Sequence, residues 1–97
     1  MAKWLQSGRR RDICALLYDE GPLRGQSLKT RLEDHYDARI DSQSFYAGLE
    51  SLAEKGFVER TTDGIHDAYV LTDAGERRVR DHFEWMHEKM EESASDR

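Results

Sequence analysis

Apolar and polar positions alternate along this chain with two different periods. Between residues 8 and 20, Ile13, Leu16 and Leu17 recur at helical spacing, with Ser7 placed to cap the start and Gly21-Pro22 to end it. Leu28, Leu32 and Tyr36 then fall one turn apart, which predicts a second helix over 26–36, opened by Gln26 or Ser27 after Gly25. A third helix is predicted over 42–55, capped by Asp41 or Ser42, with Phe45, Leu49 and Leu52 as its apolar stripe. Gly56 with Phe57 behind it has the form of a Schellman stop. The period then changes. Residues 57–60 and 68–71 favour strands and flank Asp63-Gly64, a preferred two-residue hairpin turn. Pairing about that turn sets Arg60 opposite Asp67 and Val58 opposite Tyr69. Thr72 caps a last helix, in which Val79, Phe83, Met86 and Met90 are spaced four, three and four apart, as in a coiled-coil seam.

Three helices, a β-hairpin and a long terminal helix predict a mainly α winged helix-turn-helix with a C-terminal dimerisation helix. Neither repeats nor linkers interrupt residues 8–90. The expected division is 1–72 for the winged unit with its basic N-terminal end, 73–92 for the dimerisation helix and 93–97 for a frayed tail. At 97 residues the chain is one small domain that buries only about two-thirds of its unfolded surface, so a partner subunit is expected. No run approaches the roughly 20 apolar residues of a membrane span, and the N-terminus lacks the apolar core of a signal peptide. A soluble, cytoplasmic protein without a membrane partner is the expectation.

Charge sharpens this outline. The chain has 20 Asp and Glu against 15 Lys and Arg, a net charge of −5, and its lysines are confined to Lys3, Lys29, Lys55 and Lys89. Many acids and few lysines resemble proteins of salt-loving archaea, in whose molar salt the Debye length of about 3 Å nearly abolishes self-repulsion. The charge is unevenly placed: +4 over residues 1–11, −4 over 12–60 and −5 over 61–97. A basic N-terminal end precedes an acidic body.

Catalysis would need a nucleophile, a base and orienting groups that converge. His35, His66, His82 and His87 are instead scattered over a helix end, the wing and the last helix, and no phosphate-binding glycine loop is present. His82 and His87 are five apart and point to different sides of a helix. No enzyme, metal site or cofactor is expected. The single cysteine, Cys14, excludes an intramolecular disulfide and sits on the apolar side of the first helix, where thiols are usually inert.

Double-stranded DNA is the partner the residues favour. A third helix that turns Phe45, Leu49 and Leu52 inward presents Ser42, Gln43, Ser44, Tyr46, Ala47 and Ser51 outward, with Glu50 near the edge. Small polar groups and one aromatic permit close approach to base edges and phosphates. Arg9, Arg10 and Arg11 on the first helix, Arg24, Gln26 and Ser27 at the start of the second, and Arg60, Thr61, Thr62 and His66 on the wing are the candidate phosphate contacts. Val79, Phe83, Met86 and Met90, joined by Trp4 and Leu5, are the candidate dimer contacts. Trp85 beside that seam is expected to pack at the interface, and the sequence names no small-molecule effector.

The string from Phe45 to Val58 (FYAGLESLAEKGFV), followed by Tyr69 to Gly75 (YVLTDAG), resembles the PadR-like winged-helix transcription regulators. The tyrosine and two leucines of a recognition helix ending in glycine, and the Tyr-x-Leu-Thr-x-x-Gly junction, carry the likeness. Gln26 departs from it, standing where that family commonly has an aromatic. The single short C-terminal helix is similar to the family's short subgroup, and with the acidic composition the chain resembles a haloarchaeal, stress-responsive member. That likeness implies a homodimer docking two recognition helices on a pseudo-palindromic site, usually to repress. The rival reading is a winged helix used for protein contacts without DNA, which the net acidic charge favours.

Overall fold

The computed structural model describes residues 8–95, in the order α1 (Gly8–Glu20), β1 (Leu23–Arg24), α2 (Gly25–Tyr36), α3 (Ser42–Glu54), β2 (Val58–Asp63), β3 (His66–Leu71) and α4 (Asp73–Ser95). Ser7, Trp4 and Leu5 lie outside the described residues. The architecture is the winged helix-turn-helix that the pattern predicts.

Each helix of the first half ends at a residue able to adopt a left-handed backbone. Gly21, with φ of 77°, donates its N–H to the Leu17 carbonyl at 2.9 Å and closes α1. Asp37, the only non-glycine with positive φ among the described residues, closes α2. At the end of α3, Gly56 N–H reaches the Ala53 carbonyl and Phe57 N–H the Leu52 carbonyl, both at 3.0 Å, which is the Schellman pattern. Asp41 caps the start of α3 by accepting from Ser44 N–H at 2.9 Å. The stripes that these stops bound meet in one core: Ile13, Cys14 and Leu17 of α1, Leu28 and Leu32 of α2, Phe45, Leu49 and Leu52 of α3, with Ile40, Val58 and Tyr69.

Three features depart from expectation. The hairpin turns at Gly64-Ile65, so Asp63 pairs with His66, Arg60 with Tyr69 and Val58 with Leu71. Arg60 is therefore not opposite Asp67, nor Val58 opposite Tyr69. A turn centred on Asp63-Gly64 would need positive φ at both residues, whereas a type II′ turn needs it only at its first central position. Gly64, with φ of 67°, fills that position alone, and the strands lengthen accordingly. The offset is even, so every side chain keeps its face. Second, a two-residue strand, β1, precedes α2 and pairs with β3, giving the sheet order β1-β3-β2. Arg24, not Gln26 or Ser27, stands at the N-cap of α2. Third, α4 continues to Ser95, beyond the expected end at residue 92.

The approach to α3 depends on one carboxylate. Glu33 accepts the Ile40 N–H at 2.8 Å and the Lys29 ammonium at 3.0 Å. The Ile40 N–H first, and then Lys29, hold the Glu33 carboxyl below the ordinary value of 4.5. Because the folded state favours the ionised form, this contribution is complete above that ordinary value and is lost as pH falls through the lower folded one. Glu33→Gln should be less stable than the parent at neutral pH and lose less stability between about pH 5 and about pH 3, as read from urea midpoints at each pH.

The start of α4 is fixed by Thr72. Its hydroxyl donates to the Gly56 carbonyl at 2.6 Å and accepts from Gly75 N–H at 3.1 Å, while its own N–H donates to the Phe57 carbonyl at 3.1 Å. A Cβ on Gly75 would lie 2.1 Å from that Phe57 oxygen. In an open helix, Gly to Ala gains up to about 1 kcal/mol. Here the clash with backbone reverses the sign. Gly75→Ala is expected to destabilise by about 1–3 kcal/mol, measured by urea unfolding, as overpacking does elsewhere.

Candidate nucleic-acid interface

β1 explains how residues far apart in sequence meet. Its pairing sets Leu23 opposite Tyr69 and Arg24 opposite Ala68, so the chain enters α2 directly beside the wing. Gly25 then begins α2 buried beneath Tyr46 of α3: a Cβ there would sit 2.8 Å from the Tyr46 ring and 2.9 Å from its hydroxyl. The absence of a side chain at Gly25 lets the tyrosine lie across the helix start. T-shaped packing on Phe45, with ring centroids 5.1 Å apart, holds Tyr46 from the core side.

These contacts bound a groove of about 610 Å³ lined by Arg24, Gly25, Gln26, Ser27, Tyr46, Glu50, Arg60, His66, Asp67 and Tyr69. Six expected interface residues meet here: Arg24, Gln26, Ser27, Tyr46, Arg60 and His66. Ser42, Gln43, Ser44 and Ala47 are exposed on α3, and Thr61 and Thr62 on β2. Ser51 is half-buried. The arginines of α1 are placed differently. Arg9 is exposed and Arg10 half-buried, neither lining the groove; Arg11 faces α4, lining a separate cavity of about 320 Å³ with Asp12, Ala15, Val79, His82, Phe83 and Met86.

Sequence reasoning missed part of the groove. Glu50 and Asp67 bring two carboxylates in among the arginines, and a Glu50 oxygen lies 3.9 Å from the Arg60 guanidinium. The sequence set Glu50, one turn after Tyr46, near the edge of the outward face of α3, whereas Asp67 entered only as the expected cross-strand partner of Arg60. Outside the groove, Ile65 at the wing tip is 93% exposed, and no periodicity marks a residue inside a turn.

On the seam of α4, Val79 packs against the domain's own core, whereas Phe83, Met86 and Met90 are exposed, with Trp85 beside them. α1 and α4 are joined at one end by Arg80, which donates to the Tyr18 hydroxyl at 3.0 Å and lies over the same ring. His82 stacks on Trp85, and its Nδ1 is enclosed without a hydrogen-bond partner. Burial, with Arg11 nearby, lowers its pKa. Among the described residues no group of three His, Cys, Asp or Glu could hold a metal ion, and no helix is long and apolar enough to cross a membrane.

The order of elements, the three-stranded wing sheet and the exposed α3 define a winged helix-turn-helix domain. The chain is similar to RosR of H. salinarum, with 27% identity over 93% of this chain and 91% of that one and a TM-score of 0.78. A RosR complex designated RosR-S1 superposes with a TM-score of 0.81 at 25% identity, covering 98% of this chain and 95% of the other. A homodimeric winged helix-turn-helix DNA-binding domain from Mycobacterium bovis has the same fold, with 22% identity over 90% of this chain and 74% of its own, and a TM-score of 0.69. No family model and no curated sequence matches the chain, so the PadR-like likeness has no family match behind it.

Cys14 is buried in the core, and burial pushes its thiol up to about 12. The thiolate is the reactive form, so the native protein at neutral pH should leave Cys14 unmodified by a thiol-reactive disulfide reagent over minutes and react fully once unfolded in urea. Prompt reaction of the native protein would contradict this burial.

Proposed function

We propose that this chain is a sequence-specific DNA-binding transcription regulator that acts as a homodimer on a pseudo-palindromic site. The observation that carries the reading is the convergence of Arg24, Gln26, Ser27, Tyr46, Arg60 and His66 on one open groove beside the exposed face of α3. α3 enters the major groove with Gln43, Ser44, Tyr46 and Ala47 toward base edges, and the N-terminus of α2 and wing residues Thr61 and Thr62 hold the backbone on either side. The fold likeness to RosR and to a homodimeric DNA-binding domain supports the same reading.

Phe83, Met86 and Met90 supply the dimer contact. They lie 66%, 45% and 68% exposed on α4, an apolar seam that a second copy would bury. Two α3 helices held by that arm would meet half-sites about 34–36 Å apart on one face of the duplex. The acidic, lysine-poor composition and the likeness to RosR support a halophilic archaeal source, a cytoplasmic location and a stress-responsive role. The PadR-like motifs in α3 and at the wing junction fit the same assignment.

An end-labelled duplex library from the source genome, titrated with protein in about 0.2 to about 3 M KCl and followed by anisotropy, tests the reading. Selective binding that persists at molar salt is expected, and Ser44→Ala with Tyr46→Ala should abolish it while leaving the dimer intact. No binding at any salt by folded dimer would overturn it in favour of a protein-interaction module, the alternative that the net charge of −5 favours.

A further inference from the structure

The carboxylate of Glu50 is out of place in a groove that meets phosphates. It is exposed on α3, two turns beyond Gln43 and one beyond Tyr46, and would repel a DNA backbone wherever it met one. Its one described ion-pair partner is Arg60, across the groove on β2, at 3.9 Å. Arg60 is positioned in turn by cross-strand pairing with the buried Tyr69.

In the major groove only two exocyclic groups donate hydrogen bonds, cytosine N4 and adenine N6. Beside N6 adenine carries the N7 acceptor, which repels a carboxylate, whereas cytosine has no acceptor next to N4. A carboxylate therefore selects cytosine. A guanidinium selects guanine O6 and N7. In a C·G pair these two edges adjoin, because N4 and O6 are hydrogen-bonded to each other at about 3 Å. A carboxylate and a guanidinium 3.9 Å apart match that edge in both charge and separation.

We infer that Glu50 and Arg60 act as a unit that reads one C·G pair in each half-site, Glu50 accepting from cytosine N4 and Arg60 donating to guanine O6 and N7. The inference rests on the DNA-binding reading above. The existing ion pair limits the conformations both side chains must give up on binding, and the carboxylate works by exclusion as well, because guanine and thymine offer it acceptors or a methyl group and adenine sets the N7 acceptor beside N6.

Selection from a randomised duplex pool, sequenced after binding to wild type, Glu50→Gln and Arg60→Ala, tests it. Wild type should enrich C·G at one position per half-site. Both variants should lose about tenfold of discrimination at that same position and keep their preferences elsewhere. Both side chains are more than half exposed, so the variants should fold, which circular dichroism checks. If Glu50→Gln instead tightens binding to all sequences alike with no change of base preference, the carboxylate only repels the backbone and the inference falls. If wild type binds no duplex, the DNA-binding reading fails and takes the inference with it.

Discussion

The contacts of Thr72 and Gly75 with the Phe57 and Gly56 carbonyls decide how the two halves of this protein are joined. Thr72 occupies both carbonyls, one through its hydroxyl and one through its N–H, and at the same time caps the helix that begins beside it. Gly75 is bare because Phe57 backbone fills the space where a side chain would go. The Schellman stop of α3 and the N-cap of α4 are thus a single hydrogen-bonded unit, with Arg78 lying over the Phe57 ring on its outer side. The Leu-Thr-x-x-Gly string makes sense as the sequence form of this junction. It requires a hydroxyl able both to donate and to accept, and three residues later a position without a Cβ.

The groove shows how little sheet is needed to assemble an interface. β1 has two residues, yet by pairing with β3 it fixes where α2 starts and so brings Arg24, Gln26 and Ser27 next to Arg60 and His66. Tyr46 closes the arrangement by lying over Gly25. The result mixes two arginines with two carboxylates, and attraction to a polyanion therefore cannot come from bulk charge. In the DNA-binding reading proposed above, shape and short-range hydrogen bonds contribute most of the recognition, and these are the interactions that concentrated salt screens least.

The helices were legible because each combines a period with punctuation. Leu28 and Leu32, or Phe45, Leu49 and Leu52, state the buried face, and Gly21 and Gly56 state the end. The hairpin was legible in its faces but not in its register, because Thr61 and Thr62 give no core side chain to anchor one pairing over another; turn stereochemistry at Gly64 settles it. β1 was hidden, since two residues cannot show alternation and their strand character comes wholly from β3. On α4, the seam residues share a spacing but not an environment: Val79 packs on the core, whereas Phe83 and Met86 only flank α1 and, like Met90, stay largely exposed. The groove was half legible. Its cations and amides stand out by type, but the acids Glu50 and Asp67 become part of it only when α3, β2 and β3 are brought together.

α4 has 23 residues and is therefore about 35 Å long, and it is gripped at its first turn by the junction that ends α3. It is a lever whose fulcrum adjoins α3. A tilt of about 5° at the fulcrum carries the far end of such a rod through about 3 Å, so the outer end can be displaced appreciably while α3 rotates by only a small angle. In the proposed dimer, anything that shifts how the outer arms seat against each other is geared down into a fine adjustment of the angle at which α3 is presented.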